Sequence, residues 1–383
     1  MAAKKKVRIG VVGVGGMGSA HCNGCAKVEE VELRAVADVD PTRAKQVGEQ
    51  FKVPWFTNHK DMFKAKLIDA AIVATPHYFH PPIAIDAFKA GLHVLSEKPI
   101  GVQISMAEKM AKTAKRCKKV FGVMFQRRTE PAIRKARELV ESGVLGEIKR
   151  TLLVSPEFRS QAYYDSGGWR ATWAGVGGGP LMNQAPHIMD LFVLLGGMPS
   201  RVTAKCSTLI HDIEVEDQAE AVLEYPNGAT GYFYVSTCEP GPGQVIQIFG
   251  DKGKLELHNG QLSVVVYEPC VSEFNKTNTA MWGGPKGTAL ELKLPECDAG
   301  HHVILKNFAR AILYGEELIS PGEVGLKALE LANAIMLSSW KKGKPVSIPI
   351  KRKEFDSALN RLIAKSTYGK KVAGTKRETD PRL

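Results

Sequence analysis

A chain of 383 residues exceeds the ~250 at which single cores stop growing, so two domains are expected. Its 24% charged and 44% hydrophobic residues exclude a disordered or fibrous protein. The net charge of +12 is spread over residues 4–6, 112–119, 341–344 and the stretch from Lys365 onward, with no helix-turn-helix, zinc-finger or aromatic-basic pattern beside it; nucleic acid is therefore not an expected partner.

Residues 7–12 form an apolar strand pattern too short and too glycine-broken for a signal segment or membrane span, which points to a cytoplasmic protein. Seven widely spaced cysteines make no disulfide framework. Cys22 and Cys25 have CxxC spacing but no second pair, so they read as small buried side chains, and no metal is expected.

The strand at 7–12 runs into Gly13-Val14-Gly15-Gly16-Met17-Gly18, a GxGxxG turn, and a helix is predicted over 19–27. Glycines there permit a tight turn, close backbone approach to a pyrophosphate and close packing of the helix, whose free N–H groups face the phosphates. A second strand over 32–37 ends at Asp38, placed to accept hydrogen bonds from the adenosine ribose and to repel a 2′-phosphate, which favours NAD over NADP. Asp38 could instead cap the helix that starts near Pro41. Arg43 either stacks on adenine or offsets Asp38 and admits NADP.

Further strands at 69–74, 93–95 and 120–123 alternate with helices at 82–90 and 105–115, the pattern of a parallel sheet with right-handed crossovers. Thr75, Pro76, His77 and His80 follow one strand end, and Glu97-Lys98-Pro99 follows another. Open α/β sheets bind ligands at that edge. By itself Glu-Lys-Pro is equally a solvated turn.

After Gln126 and a helix over 131–142 the pattern changes. Strands at 147–154, 202–206, 220–225, 231–236, 245–249 and 261–266 are divided by tight turns such as Pro226-Asn227-Gly228, indicating a mostly antiparallel sheet. A glycine-rich stretch, 177–179, leads through Asn183 into a helix over 186–195 that carries His187 and Asp190 on one face. A neighbouring carboxylate or amide can fix an imidazole's tautomer, although His187 could also be a core histidine bonded to backbone. Upstream, Tyr163, Tyr164, Trp169, Arg170 and Trp173 offer aromatic faces and a guanidinium suited to a sugar ring, or to a subunit contact.

With these motifs, and with Gly146-Glu147-Ile148 and Asn333-Ala334, the chain resembles over nearly its whole length the family of glucose-fructose oxidoreductase and inositol dehydrogenase, Gfo/Idh/MocA. The resemblance implies an α/β protein: a Rossmann domain over 1–125, then an α/β domain over 126–383 whose large, mostly antiparallel open sheet forms homodimers or homotetramers. It implies that Lys98 works with His187. Many members carry an aspartate where this chain has Asn183, so any relay through that position must be reassigned.

The expected cofactor set is Gly13, Val14, Gly15, Gly16, Met17, Gly18, Asp38, Arg43, Thr75, Pro76, His80, Glu97, Lys98 and Gln126. The expected substrate set is Tyr163, Tyr164, Trp169, Arg170, Trp173, Asn183 and His187. The leading expectation is oxidation of a secondary hydroxyl on a sugar, sugar derivative or cyclitol, with His187 taking the hydroxyl proton and Lys98 stabilising the alkoxide. Two rivals are an NAD-dependent glycosidase that oxidises, eliminates and re-reduces, with Tyr163 or Tyr164 as the extra base, and a nucleotide-binding regulator without chemistry.

Overall fold

The computed structural model describes residues 5–241 and 243–367; Lys4 and the basic positions beyond Thr367 lie outside them. Strand β1 (Val7–Val12) is buried along nearly its whole length, as is β4 (Ala70–Val73). Strands apolar on both faces belong in the middle of a sheet covered on both sides. Around them β2 (Val31–Ala37), β3 (Trp55–Phe56), β5 (His93–Ser96) and β6 (Phe121–Val123) complete a six-stranded sheet in the order β3-β2-β1-β4-β5-β6. All its pairings are parallel. The connecting helices are α1 (Gly16–Cys25), α2 (Pro41–Phe51), α3 (His59–Lys64), α4 (His80–Lys89) and α5 (Ile104–Arg116). The strand order reverses between β1 and β4, so the loops after these strands diverge and leave a crevice.

The cap of α2 is Asp40, whose side chain accepts from the Thr42 and Arg43 N–H groups at 3.0 and 3.3 Å. Asp38 is thereby freed from the capping role that the sequence also allowed. The thiols of Cys22 and Cys25 lie in the core under α1, and burial pushes each up to about 12. All seven cysteines are free.

Helix α6 (Pro131–Glu141) leads to the second sheet: β7 (Ile148–Pro156), then, after α7 (Gln161–Asp165) and α8 (Pro186–Gly196), β8 (Arg201–Ser207), β9 (Gln218–Glu224), β10 (Thr230–Ser236), β11 (Val245–Gly250), β12 (Gly253–His258) and β13 (Gln261–Glu268). Beyond α9 (Val271–Thr277) come β14 (Lys286–Ala289), α10 (His301–Tyr314), α11 (Gly322–Trp340), β15 (Val346–Ser347) and α12 (Arg352–Ile363). The nine strands run β14-β13-β12-β11-β7-β10-β9-β8-β15. Only β7 with β10 is parallel. Strand β12 was not among the expected strands, although Lys254 and Glu256 alternate with buried Leu255 and Leu257 in strand fashion; it is a short run directly after the turn at 250–253. Among the described residues no helix is long and apolar enough to cross a membrane.

Three features join the sheets. Helix α10 returns to the first sheet, where Ile304, Leu305 and Phe308 share a core with Val7, Ile9 and Val11. Asn333 of α11, fully buried, donates to Val102 O at 3.0 Å and accepts from Ile104 N at 3.0 Å, holding the segment that follows Glu97-Lys98-Pro99. Arg128, just past β6, forms a bidentate pair with Asp190 of α8 at 2.6 and 2.7 Å, both side chains buried. We keep residue 125 as the proposed domain boundary, since it lies between the last strand of one sheet and the first of the other.

Burial raises the Asp190 carboxyl, and the Arg128 guanidinium opposes the rise. Asp190→Ala leaves that guanidinium buried and unpaired, for which a loss of about 3–5 kcal/mol in stability is expected. Urea unfolding measures it, and a loss under about 1 kcal/mol would contradict the pairing.

Candidate active site

The turn after β1 is fixed by its own glycines. Gly13 has φ +84°, and a Cβ there would stand 2.7 Å from Ala74 O; a Cβ on Gly18 would stand 1.8 Å from Gly13 O. Gly15 differs, because a Cβ on it would meet nothing within 4 Å. The protein needs the first two glycines for its own packing, while Gly15 keeps open the space in front of α1. No side chain caps that helix, so its first N–H groups are available to an anion.

At the end of β2, Asp38 accepts from Val14 N at 2.9 Å and from Asp40 N at 3.0 Å. Arg43 Nη1 lies 3.3 and 3.4 Å from its two oxygens, so Arg43 takes the charge-offsetting position of the two expected for it. Asp38, Val14 and the glycines thus form one constellation, as the fingerprint predicts.

Two residues expected at the cofactor face inward instead. His80 lies between the loops after β4 and β5, Nδ1 2.7 Å from Pro99 O and Nε2 2.5 Å from Thr75 O, so whichever nitrogen carries the proton donates to a backbone carbonyl. Glu97 is buried, with Oε1 2.6 Å from His21 Nε2 and Oε2 accepting from Lys98 N at 3.0 Å. Burial alone would raise the Glu97 carboxyl; the His21 hydrogen bond, with the charges of His21, Lys98 and His301, overcomes this and holds it down at about 2. His21 was missed from sequence, where it read as one more residue of a scaffold helix. Its signal is a polar side chain on the face of α1 that packs toward the sheet.

Lys98 reaches across to the second half, Nζ donating to Asn183 O at 3.2 Å. Burial lowers its ammonium pKa, Glu97 and Glu157 counter the shift, and Arg159 adds to it. His187 lies one turn beyond Asn183, its ring edge-on to Phe125 at 5.8 Å. Burial, then the Lys98 charge, hold its pKa well below 6.5, so the imidazole is neutral. Neither expected partner orients it: Asp190 is committed to Arg128, and the Asn183 amide donates to Tyr163 Oη at 3.0 Å. The i, i+3 spacing put Asp190 on the right face, but the buried arginine claimed it first.

Tyr163 Oη also accepts from Gln184 Nε2 at 3.1 Å, and Arg170 stacks between the rings of Tyr163 and Trp169. Trp169 in turn stands edge-on to His77 at 6.3 Å. The expected substrate residues Tyr163, Trp169, Arg170, Asn183 and His187 are therefore gathered beside Lys98. Tyr164 and Trp173 are not. Tyr164 is buried, its hydroxyl bonded to Thr237 Oγ1 at 2.7 Å and its phenol pushed up to about 12 by burial, while Trp173 packs on Trp340 at 5.7 Å. Neighbouring side chains in a helical turn point in different directions, which an adjacent Tyr-Tyr pair does not reveal. Beside Tyr164, His211, Asp217 and Cys238 come close together, but three backbone N–H groups and His211 already occupy the Asp217 carboxylate.

Buried side-chain atoms without a hydrogen-bond partner among the described residues include Thr75 Oγ1, Gln126 Oε1, Gln184 Oε1 and His187 Nδ1. Each such atom costs ~1–3 kcal/mol; Thr75, Gln126 and His187 belong to the expected cofactor and substrate sets and Gln184 bonds Tyr163, whereas Glu216 Oε2 and Ser320 Oγ are unpaired outside those sets.

Residues 7–125 match the oxidoreductase family with an NAD-binding Rossmann fold, and residues 133–256 match the GFO/IDH/MocA C-terminal domain. The chain belongs to the GFO/IDH/MocA oxidoreductase family. A myo-inositol 2-dehydrogenase of Thermotoga maritima is 26% identical over 88% of this chain and 97% of its own. An uncharacterized oxidoreductase of Bacillus subtilis, YrbE, is 24% identical over 90% of this chain and 97% of its own. The WlbA dehydrogenase of Chromobactrium violaceum, solved with NADH and UDP-GlcNAcA, has 27% identity and a TM-score of 0.76 over 91% of this chain and 98% of its own. The first sheet of this GFO/IDH/MocA enzyme is thus an NAD-binding Rossmann domain, and the open space at Gly15, the uncapped start of α1 and the Asp38 carboxylate fit that cofactor.

Asp38→Ala is expected to weaken NAD binding about tenfold, equivalent to ~1.4 kcal/mol, in isothermal titration calorimetry. An unchanged affinity would take Asp38 out of the nucleotide site.

Proposed function

We propose that this oxidoreductase oxidises, reversibly, a secondary hydroxyl of a sugar, sugar derivative or cyclitol, with Lys98 and His187 as its catalytic residues. The observation that carries the reading is that Lys98, from the nucleotide sheet, donates to Asn183 O one turn before His187, whose buried Nδ1 is unpaired. The named activities of the Thermotoga inositol dehydrogenase and of levoglucosan dehydrogenase, whose fold this chain shares at a TM-score of 0.75, support the same substrate class.

The cofactor, when bound, supplies the hydride acceptor, held through the glycine turn, Asp38 and the helix start. The chain supplies the rest. A neutral His187 can take the hydroxyl proton, but its depressed pKa makes it a weak base, with no carboxylate to stabilise the imidazolium. More of the barrier lowering therefore falls on Lys98, whose ammonium stands where negative charge grows on the substrate oxygen. The buried Glu97 opposes the lowering of the ammonium pKa that burial brings. Tyr163, Trp169 and Arg170 present one aromatic and guanidinium wall to the ring.

A homo-oligomer belongs to the proposal. On the uncovered face of the second sheet Val222, Tyr232 and Leu152 lie side by side across β9, β10 and β7, and Val222 is 53% and Tyr232 39% exposed. A second copy packing sheet on sheet would bury this stripe. Sedimentation as a monomer at micromolar concentration would remove that part. We also place the protein in the cytoplasm, consistent with seven free cysteines.

The test is NADH formation, followed by absorbance, over a panel of monosaccharides, glycosides and inositols. Lys98→Ala should lower turnover more than tenfold, ~1.4 kcal/mol of barrier, and a smaller loss would sink the assignment. Because the His187 pKa is lowered, its unprotonated form persists to lower pH, so the acid limb of kcat/KM should lie below pH 6.5.

A further inference from the structure

The arginines around the site differ in what they face. Arg127 pairs with Glu130, Arg128 with Asp190 and Arg159 with Glu157. Arg170 has no carboxylate partner among the described residues. Its Cζ lies 4.5 Å from the centre of the Tyr163 ring and 4.9 Å from that of Trp169. The guanidinium is thus held against aromatic rings and makes no side-chain hydrogen bond among the described residues, which leaves its N–H donors for a ligand.

The neighbouring group is also a donor. Tyr163 Oη accepts from both Asn183 and Gln184, which fills its acceptor positions and leaves the phenolic proton to be given away. Asn183 O holds Lys98 Nζ, so the guanidinium, the phenol and the ammonium follow one another along a single wall. Glu97 is enclosed by His21 and the Lys98 backbone and Glu157 is paired with Arg159, so neither of these carboxylates is given over to Arg170. Such a wall has hydrogen-bond donors and positive charge in excess of acceptors. A neutral polyol, whose every hydroxyl both donates and accepts, would leave that guanidinium uncompensated.

We propose that the substrate is an acidic sugar derivative, whose carboxylate or phosphate is bound by the Arg170 fork while the hydroxyl to be oxidised lies toward Lys98 and His187. This rests on the sugar-oxidation reading above and narrows it. Arg170 is then the residue that sets specificity, and Tyr163 presents its proton to an oxygen next to the anionic group. Bidentate recognition of a planar carboxylate or of two phosphate oxygens is what a stacked guanidinium does best.

The experiment is calorimetric titration of the enzyme–NADH complex with D-glucose, D-glucuronate and UDP-glucose. At least one anionic probe should bind ten times or more as tightly as D-glucose. A preference for D-glucuronate identifies a carboxylate, and a preference for UDP-glucose a phosphate. Arg170→Met should erase the preference and leave NADH affinity unchanged, which shows that the variant is folded. Arg170→Lys should restore only part of it, since lysine keeps the charge and loses the fork. The proposal is overturned if neither anionic probe binds more tightly than D-glucose, or if Arg170→Met retains the preference. Binding is read here without turnover, so NADH formed from neutral sugars alone would sink this inference and spare the oxidation reading, whereas an Arg170-dependent anion preference without NADH formation would do the reverse.

Discussion

The site depends on a buried anion. Glu97 sits behind the strand end that carries Lys98, fastened by His21 on one oxygen and by the Lys98 backbone on the other. An ammonium drawn out of water tends to lose its proton, and a fixed negative charge nearby counters that tendency. The same carboxylate ties α1, whose start carries no side-chain cap, to the end of β5 that leads into Lys98. That arrangement is stable because the carboxylate is hydrogen-bonded on both oxygens rather than merely enclosed.

Around this anion the two halves are braced by buried polar groups that have hydrogen-bond partners. His80 lies between backbone carbonyls of the β4 and β5 loops, Asn333 clamps the segment from Val102 to Ile104, and Asp190 closes on Arg128. Such satisfied groups rigidify a core. Against them stand the unsatisfied atoms of Thr75, Gln126, Gln184 and His187.

Much of this was legible in the sequence. The glycine turn, the six-strand alternation and the later antiparallel run are local patterns, written in glycine placement and hydrophobic period, and the structure carries them. That Lys98 and His187 work together is implied only by the resemblance, since nothing in spacing along the chain relates residues so far apart. What stayed hidden was competition between partners. Asp190 shares a face with His187 yet turns to Arg128, which arrives from another element; Tyr164 follows Tyr163 yet its hydroxyl ends on Thr237. His21 was hidden for the same reason, its partner lying a full sheet traverse away in sequence. Pair choices of this kind are settled by tertiary packing, which periodicity does not encode.

The return of α10 to the first sheet has a consequence for how the molecule is made. Ile304, Leu305 and Phe308 complete the cover over Val7, Ile9 and Val11, and they leave the ribosome only after β14, when almost all of the second sheet has been synthesised. The nucleotide-binding half is first to be started and among the last to be finished. Its early strands must wait, part of one face unshielded, while a second unit folds in the middle of them, so the two halves share a common fate: neither can be lost from the chain, or brought to completion, independently of the other.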